Sequence, residues 1–174
     1  MGRVFKIACI CLATFAVAGC IAPSRPSPEE AAVRDVISRY NQMIIQGYRA
    51  MNMNGMSQVA TKLQSEDEYI FMSSLAEGGV RLDATLKDLT FLKVSVEATS
   101  ATAETREVWD YKHFGRADGK LVQEEDGLVY HLAWDLEKQP TGVWLVSDVR
   151  AISTTSTGEP KQLETVTPVP PKKD

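Results

Sequence analysis

Two histidines, His113 and His131, are the side chains best suited to acid–base or metal chemistry near neutral pH. Both lie where apolar and polar residues alternate, so both are predicted on β-strands. A site around either one needs partners on the same strand face. Glu107 shares parity with His113, and Asp135 with His131, whereas Asp110 points away from His113. Glu124-Glu125-Asp126-Gly127 offers oxygen donors without the spaced loop of a calcium site, and is expected to be a solvated hairpin tip. No G-x-S-x-G, H-E-x-x-H or P-loop occurs. The expected state of both histidines is therefore an ordinary sheet histidine, with no metal and no cofactor.

Thiol chemistry is restricted by the three cysteines' positions, Cys9, Cys11 and Cys20. Arg3 and Lys6 precede an uncharged run from Ile7 to Val17, which is shorter than the roughly 20 apolar residues of a spanning helix. Ala18 and Gly19 then lead into Cys20. Val17-Ala18-Gly19-Cys20 resembles the lipobox of bacterial lipoproteins. The resemblance implies a signal peptide over residues 1–19, cut between Gly19 and Cys20, and lipidation (diacylglycerol and palmitate-type acylation) of the Cys20 thiol and amine. Two or three chains hold a protein firmly at a bilayer where one does not. Ile21 stands where many inner-membrane lipoproteins carry aspartate, which by the same resemblance favours the outer membrane, facing the periplasm. No cysteine remains for a disulfide, a redox pair or a thiolate metal site.

The chain has 19 basic and 23 acidic residues, a net charge of −4. Cleavage removes Arg3 and Lys6 and no acid, which takes the mature chain to −6. Such a balance gives no electrostatic footprint for nucleic acid.

The elements that must position these residues follow from hydrophobic period. Residues 20–28 are a lipidated start and proline-rich linker. Ser27, Pro28 and Glu30 spell a capping box, and Val33, Val36, Ile37, Tyr40, Ile44, Tyr48 and Met51 recur at helical spacing, so a helix is predicted from Pro28 to Met51. Met56 to Leu63 suggests a short second helix. Ser65 with Glu66-Asp67-Glu68 suggests a third, with Tyr69, Met72, Leu75 and Ala76 buried and its end at Gly78-Gly79 or a turn later, near Leu82. The period then changes to two. Strands are predicted at Leu89–Glu97, Ala103–Phe114, Leu128–Glu137 and Val143–Ile152, with turns at Ala117-Asp118-Gly119, Asp126-Gly127 and Pro140-Thr141-Gly142 and with Leu121-Val122 as a possible extension of a long hairpin. Helices followed by consecutive antiparallel strands make an α+β domain over residues 29–152. Residues 153–174, poor in large apolar side chains, are predicted to stay disordered, and Pro168 to Lys173 reads as a solvated tail or a polyproline ligand.

This element order resembles the cone-shaped, cystatin-like roll of nuclear transport factor 2 and ketosteroid isomerase. Tyr130-His131-Leu132-Ala133-Trp134 followed by Gly142-Val143-Trp144-Leu145-Val146 resembles the sheet-closing strands of import-receptor-like and plastid-division-like binding modules. The isomerase resemblance implies a cavity with a tyrosine, for which Tyr40 is the counterpart, a strand acid such as Asp110, and a general base. The family draws its base from the region where this chain, from Asn41 to Ser65, has no Asp, Glu or His. A fold of this kind carries no activity by itself.

The aromatic residues Trp109, Tyr111, Tyr130, Trp134 and Trp144 are candidates either for the core or, on the outer sheet face, for a binding platform. Met43, Met51, Met53, Met56 and Met72 fill the core or line an adaptable cavity. The expected function is a non-catalytic, lipid-anchored envelope protein that binds another envelope protein or an apolar small molecule. The alternatives are an isomerase- or hydrolase-like enzyme using the cone pocket, and a structural protein acting as a homodimer. Carboxyl or imidazole groups converging in the pocket argue for the enzyme. A dry apolar pocket beneath an exposed aromatic sheet face argues for binding alone.

Overall fold

The computed structural model describes residues 25–156 and 161–162. Helix α1 (Pro28–Ala50) begins as its sequence dictates. The Glu30 N–H donates to Ser27 Oγ at 3.2 Å, and the Ser27 N–H donates back to Glu30 Oε2 at 2.8 Å. Val33, Val36, Ile37, Tyr40 and Tyr48 form its buried stripe. The helix ends at Met51 in the left-handed conformation (φ 52°). Gly47, one turn earlier, lets the following loop close onto the helix: a Cβ there would collide with Met53 Sδ and approach the Asn52 carbonyl to 3.2 Å.

The next helix does not start where the sequence suggests. Met56–Gln58 is a single 3-10 turn, and Ala60 then bridges to Val146. Helix α2 runs from Lys62 to Glu77, with Thr61 as N-cap accepting from the Gln64 N–H at 3.4 Å. Thr61-x-x-Gln64 is a second capping-box spelling, four residues before Ser65. Its use starts the expected third helix four residues early, and the expected second helix is reduced to the 3-10 turn. Glu66, Asp67 and Glu68 consequently leave the first turn, and the stripe rotates. Met72 is buried, Leu75 and Ala76 are half-buried, and Leu63 and Tyr69 are exposed. Gly78 caps the helix and Gly79 (φ 72°) turns the chain directly into a strand, so Leu82 is not helical.

Strands β1 (Val80–Val96), β2 (Ser100–Gly115), β3 (Leu121–Lys138) and β4 (Trp144–Ser156) form an antiparallel meander in that order. Each is longer than its sequence period announced. Asp126-Gly127 is not a turn: Gly127 (φ 68°) sits inside β3 at a register shift opposite Trp109 and Tyr111. Glu124 and Glu125 are accordingly paired across from Lys112 and Tyr111 and are not a hairpin tip. β4 continues four residues past Ile152, and β5 (Lys161–Gln162) pairs with β3 at Glu124 and Gln123. These residues were expected to be disordered for want of burial. They are held instead by backbone pairing with the long β3, where Thr154 and Thr155 suit an extended chain. Cys20 and the C-terminal proline run lie outside the described residues.

The helices cover one face of the curved sheet. The core joins the α1 stripe and Met53, Met56, Val59 and Met72 to Ala101, Ala103, Trp134, Leu136, Trp144 and Val146 on the strands. Trp144 is tied in by its indole N–H, which donates to Glu29 Oε2 at 2.9 Å, while Lys138 Nζ lies 2.8 Å from Glu29 Oε1.

Candidate functional site

Alternation along β2 aims Thr105, Glu107 and Trp109 at the helices, and all three are buried. Glu107 is fully buried and has no cationic partner among the described residues. Its Oε1 accepts from Asn41 Nδ2 (3.0 Å) and Thr105 Oγ (3.1 Å), and its Oε2 accepts from Trp109 Nε1 (2.8 Å). Thr105 Oγ in turn accepts from Trp134 Nε1 at 2.8 Å. The Tyr40 ring meets Trp134 edge-on, with centroids 5.5 Å apart. One carboxylate thus organises three donors drawn from α1 and β2, and through Thr105 a fourth from β3. Burial pushes the Glu107 carboxyl above its usual range, and its three hydrogen bonds oppose that rise.

A second carboxylate network faces it from α2. Glu68 accepts from the hydroxyls of Tyr40 and Tyr48, one on each oxygen, and Gln64 Nε2 donates to the Tyr40 oxygen at 2.8 Å. Burial first, then the adjacent Glu68 charge, pushes both phenols far above their usual range, so both remain protonated donors. The displaced start of α2 creates this arrangement by turning Glu68 toward α1.

Between these networks lie two adjoining cavities that share a wall of Ile44, Glu68, Tyr111 and Tyr130. The larger, about 300 Å³, is completed by Tyr48, Phe71, Leu82, Ala84, His113, Glu125 and Leu128. The smaller, about 200 Å³, reaches Glu107, Trp109, Trp134 and Asn41. The Tyr111 ring stacks on Trp109 (5.8 Å, 5°) and stands nearly perpendicular to Tyr130 (6.5 Å, 80°). Burial lowers the His113 pKa, and its buried Nδ1 has no hydrogen-bond partner. Glu125 accepts from Gln123.

The sequence candidates separate accordingly. His113 and Glu107 reach the same pair of cavities, whereas His131 and Asp135, of opposite parity to Tyr130 and Trp134, do not line them. Asp110 is a bulge residue: its Oδ1 accepts from the Gly127 N–H at 2.8 Å and its Oδ2 lies 3.4 Å from Lys87 Nζ, so it does not supply a strand acid to the cavity. Tyr40 is core, but its hydroxyl reaches Glu68. The aromatic residues do not form an outer platform. Trp109, Tyr111, Tyr130 and Trp134 line the cavity, and Trp144 is core, because all five face the helices. Met43, Met53 and Met56 line a separate hollow of about 240 Å³ beside Gly47 and Gly55, away from the aromatic cavity. Sequence reasoning missed Glu68, whose only signal was the Thr61-x-x-Gln64 alternative cap.

No protein-family model matches the chain. No curated protein matches it. Solved structures do. The intermembrane space region of the chloroplast protein ARC6 superposes with a TM-score of 0.59 at 14% identity, covering 72% of this chain and 98% of that one. A nuclear transport factor 2-like superfamily protein from Salmonella enterica serovar Typhimurium LT2 gives 0.51 at 14% identity, covering 74% and 95%. At these identities the likeness is one of fold: an α+β roll of the transport-factor type, as the element order predicted.

Proposed function

We propose that this chain is a lipid-anchored cell-envelope protein whose roll binds a small ligand in the cavity between α1, α2 and the sheet. The carrying observation is the cavity's construction. Its aromatic walls are fixed by two buried carboxylate networks, and both carboxylates are already engaged by protein donors instead of being held ready for a substrate proton. The volume falls at the small end of ligand pockets. The anchor reading rests on the Val17-to-Cys20 lipobox, and Ile21 after the cysteine favours the outer membrane, facing the periplasm.

Native mass spectrometry of the full chain extracted from membranes tests the binding reading. Wild type should carry a non-covalent small-molecule adduct. Ile44→Trp, which fills the shared wall, should not. Bare masses for both proteins, or an adduct retained in Ile44→Trp, would contradict it. Palmitate labelling of wild type and Cys20→Ala tests the anchor, and equal labelling of the two would refute it.

A second reading draws on His113, whose unpartnered Nδ1 in a cavity also lined by Glu125 is suited to moving a proton. Under it, the bound molecule is converted on incubation with wild type and recovered unchanged from His113→Gln. Under the binding reading it is recovered unchanged from both.

A further inference from the structure

We propose that the cavity's ligand is a compact organic cation, a quaternary or alkyl-substituted ammonium, seated between the aromatic walls and the Glu68 and Glu125 carboxylates. This inference rests on the cavity being the binding site and adds the class of ligand.

Charge is the first argument. Glu68, Glu125 and Glu107 line the two adjoining cavities, and no Lys or Arg does. The nearby cations are committed elsewhere: Lys112 to Glu124, Arg49 to Asp83 and Lys87 to Asp110. None of the three carboxylates enters an ion pair among the described residues; the donors to them are neutral Asn, Gln, Thr, Trp or Tyr groups. His113 does not offset them, because burial favours its neutral form. An anionic ligand would enter a cavity of its own sign, and a neutral one would leave the field unused.

Shape is the second argument. A bare metal ion needs three or more ligating groups converging on a point, and among the described residues no such group of His, Cys, Asp or Glu occurs. The cavities are instead lined by rings set at right angles. Tyr111 stands perpendicular to Tyr130, and Tyr48 to Phe71 with centroids 5.4 Å apart. Mutually perpendicular aromatic faces beside carboxylates suit a cation clad in methyl or methylene groups, which the ring quadrupoles attract without demanding directional hydrogen bonds. A phosphate attached to such a cation would bring charge of the wrong sign to the same carboxylates. The geometry therefore points to the free cation, not to a phosphocholine headgroup.

Titration calorimetry on the full chain in detergent tests this with choline, its uncharged isostere 3,3-dimethylbutan-1-ol, the anion 3,3-dimethylbutanoate, and phosphocholine. Choline should bind at least about tenfold more tightly than the isostere, and the anion should not bind measurably. Glu68→Gln, which keeps an acceptor oxygen for one tyrosine and presents an N–H donor to the other's hydroxyl oxygen, should lose about tenfold in choline affinity and none for the isostere. An isostere that binds as tightly as choline would overturn the charge preference and leave the binding reading standing. Phosphocholine binding as tightly as choline would overturn the choice of a free cation. No binding by any of the four would contradict both the class and the use of this cavity. Unchanged far-ultraviolet circular dichroism identifies the Glu68→Gln effect as one on binding; if that variant unfolds, Glu125→Gln carries the same expectation.

Discussion

The cavity's two carboxylate-bearing walls are built on opposite principles. On the β2 wall, Glu107 is fully buried and accepts three hydrogen bonds, and its donors Asn41, Thr105 and Trp109 are all buried with it. Around the larger cavity, Glu68, Tyr111, His113, Glu125 and Tyr130 are only half-buried, and His113 Nδ1 lacks a partner. The contrast follows from the cost of burying polar groups. A sealed carboxylate is tolerated only when its donors are supplied by the protein, and it then becomes a fixed strut. A half-exposed one can keep unspent lone pairs, because water satisfies them until a ligand arrives. The buried wall should therefore govern stability and the half-exposed wall affinity.

The largest expected effect is that of Glu107→Ala. It leaves three buried donors without an acceptor and should cost about 3–5 kcal/mol in denaturant unfolding. A loss below about 1 kcal/mol would remove the distinction between the walls.

The pH dependence of Glu107 sharpens it. Because burial raises its carboxyl above the ordinary 4.5, the folded chain holds a proton that the unfolded chain has released. Stability should fall as pH rises from about 4.5 through the folded value and level off above it. Glu107→Gln should lack this slope, so the wild-type advantage over it should shrink across that window. A difference that grows with pH would mean the hydrogen bonds outweigh desolvation.

On the other wall, Tyr48→Phe removes one donor to Glu68 and should cost about 1 kcal/mol in unfolding, well below Glu107→Ala.

The smallest expected effect comes from His113. Burial lowers its pKa from 6.5, so the unfolded chain takes up a proton that the folded chain refuses. Stability should decline as pH falls below 6.5 through the folded value, by an amount reduced by solvent screening. His113→Gln should abolish that decline with little change at neutral pH, as read from melting temperature against pH.

The fold was legible where signals were local and unopposed. Ser27 and Glu30 begin α1, and alternation on β2 puts Glu107, Trp109 and Tyr111 on one face. Two local signals competed at α2, Thr61 with Gln64 against Ser65 with Glu68, and pattern alone could not rank them. The choice is made by packing: Ala60 bridges to Val146, 86 residues on, and fixes the entry to the helix. Glu68 was lost as a site residue with that choice. Asp126-Gly127 failed for a related reason. A left-handed glycine serves a turn and a bulge equally, and only the non-local pairing with β2 decides between them. The Glu107 network was half-legible, since parity gave its direction but nothing near it in sequence named Asn41, 66 residues away.

The central claim is that the half-exposed wall is a ligand site while the buried wall is scaffold. Hydrogen–deuterium exchange tests it most directly, comparing the full chain as extracted from membranes with the same chain stripped of small molecules and refolded. Stripping should raise exchange in the segments carrying Tyr48, Glu68, Tyr111 and Glu125, and leave the outer edge of β4 unchanged. No difference between the two samples, or one confined to the outer sheet face, would contradict the account.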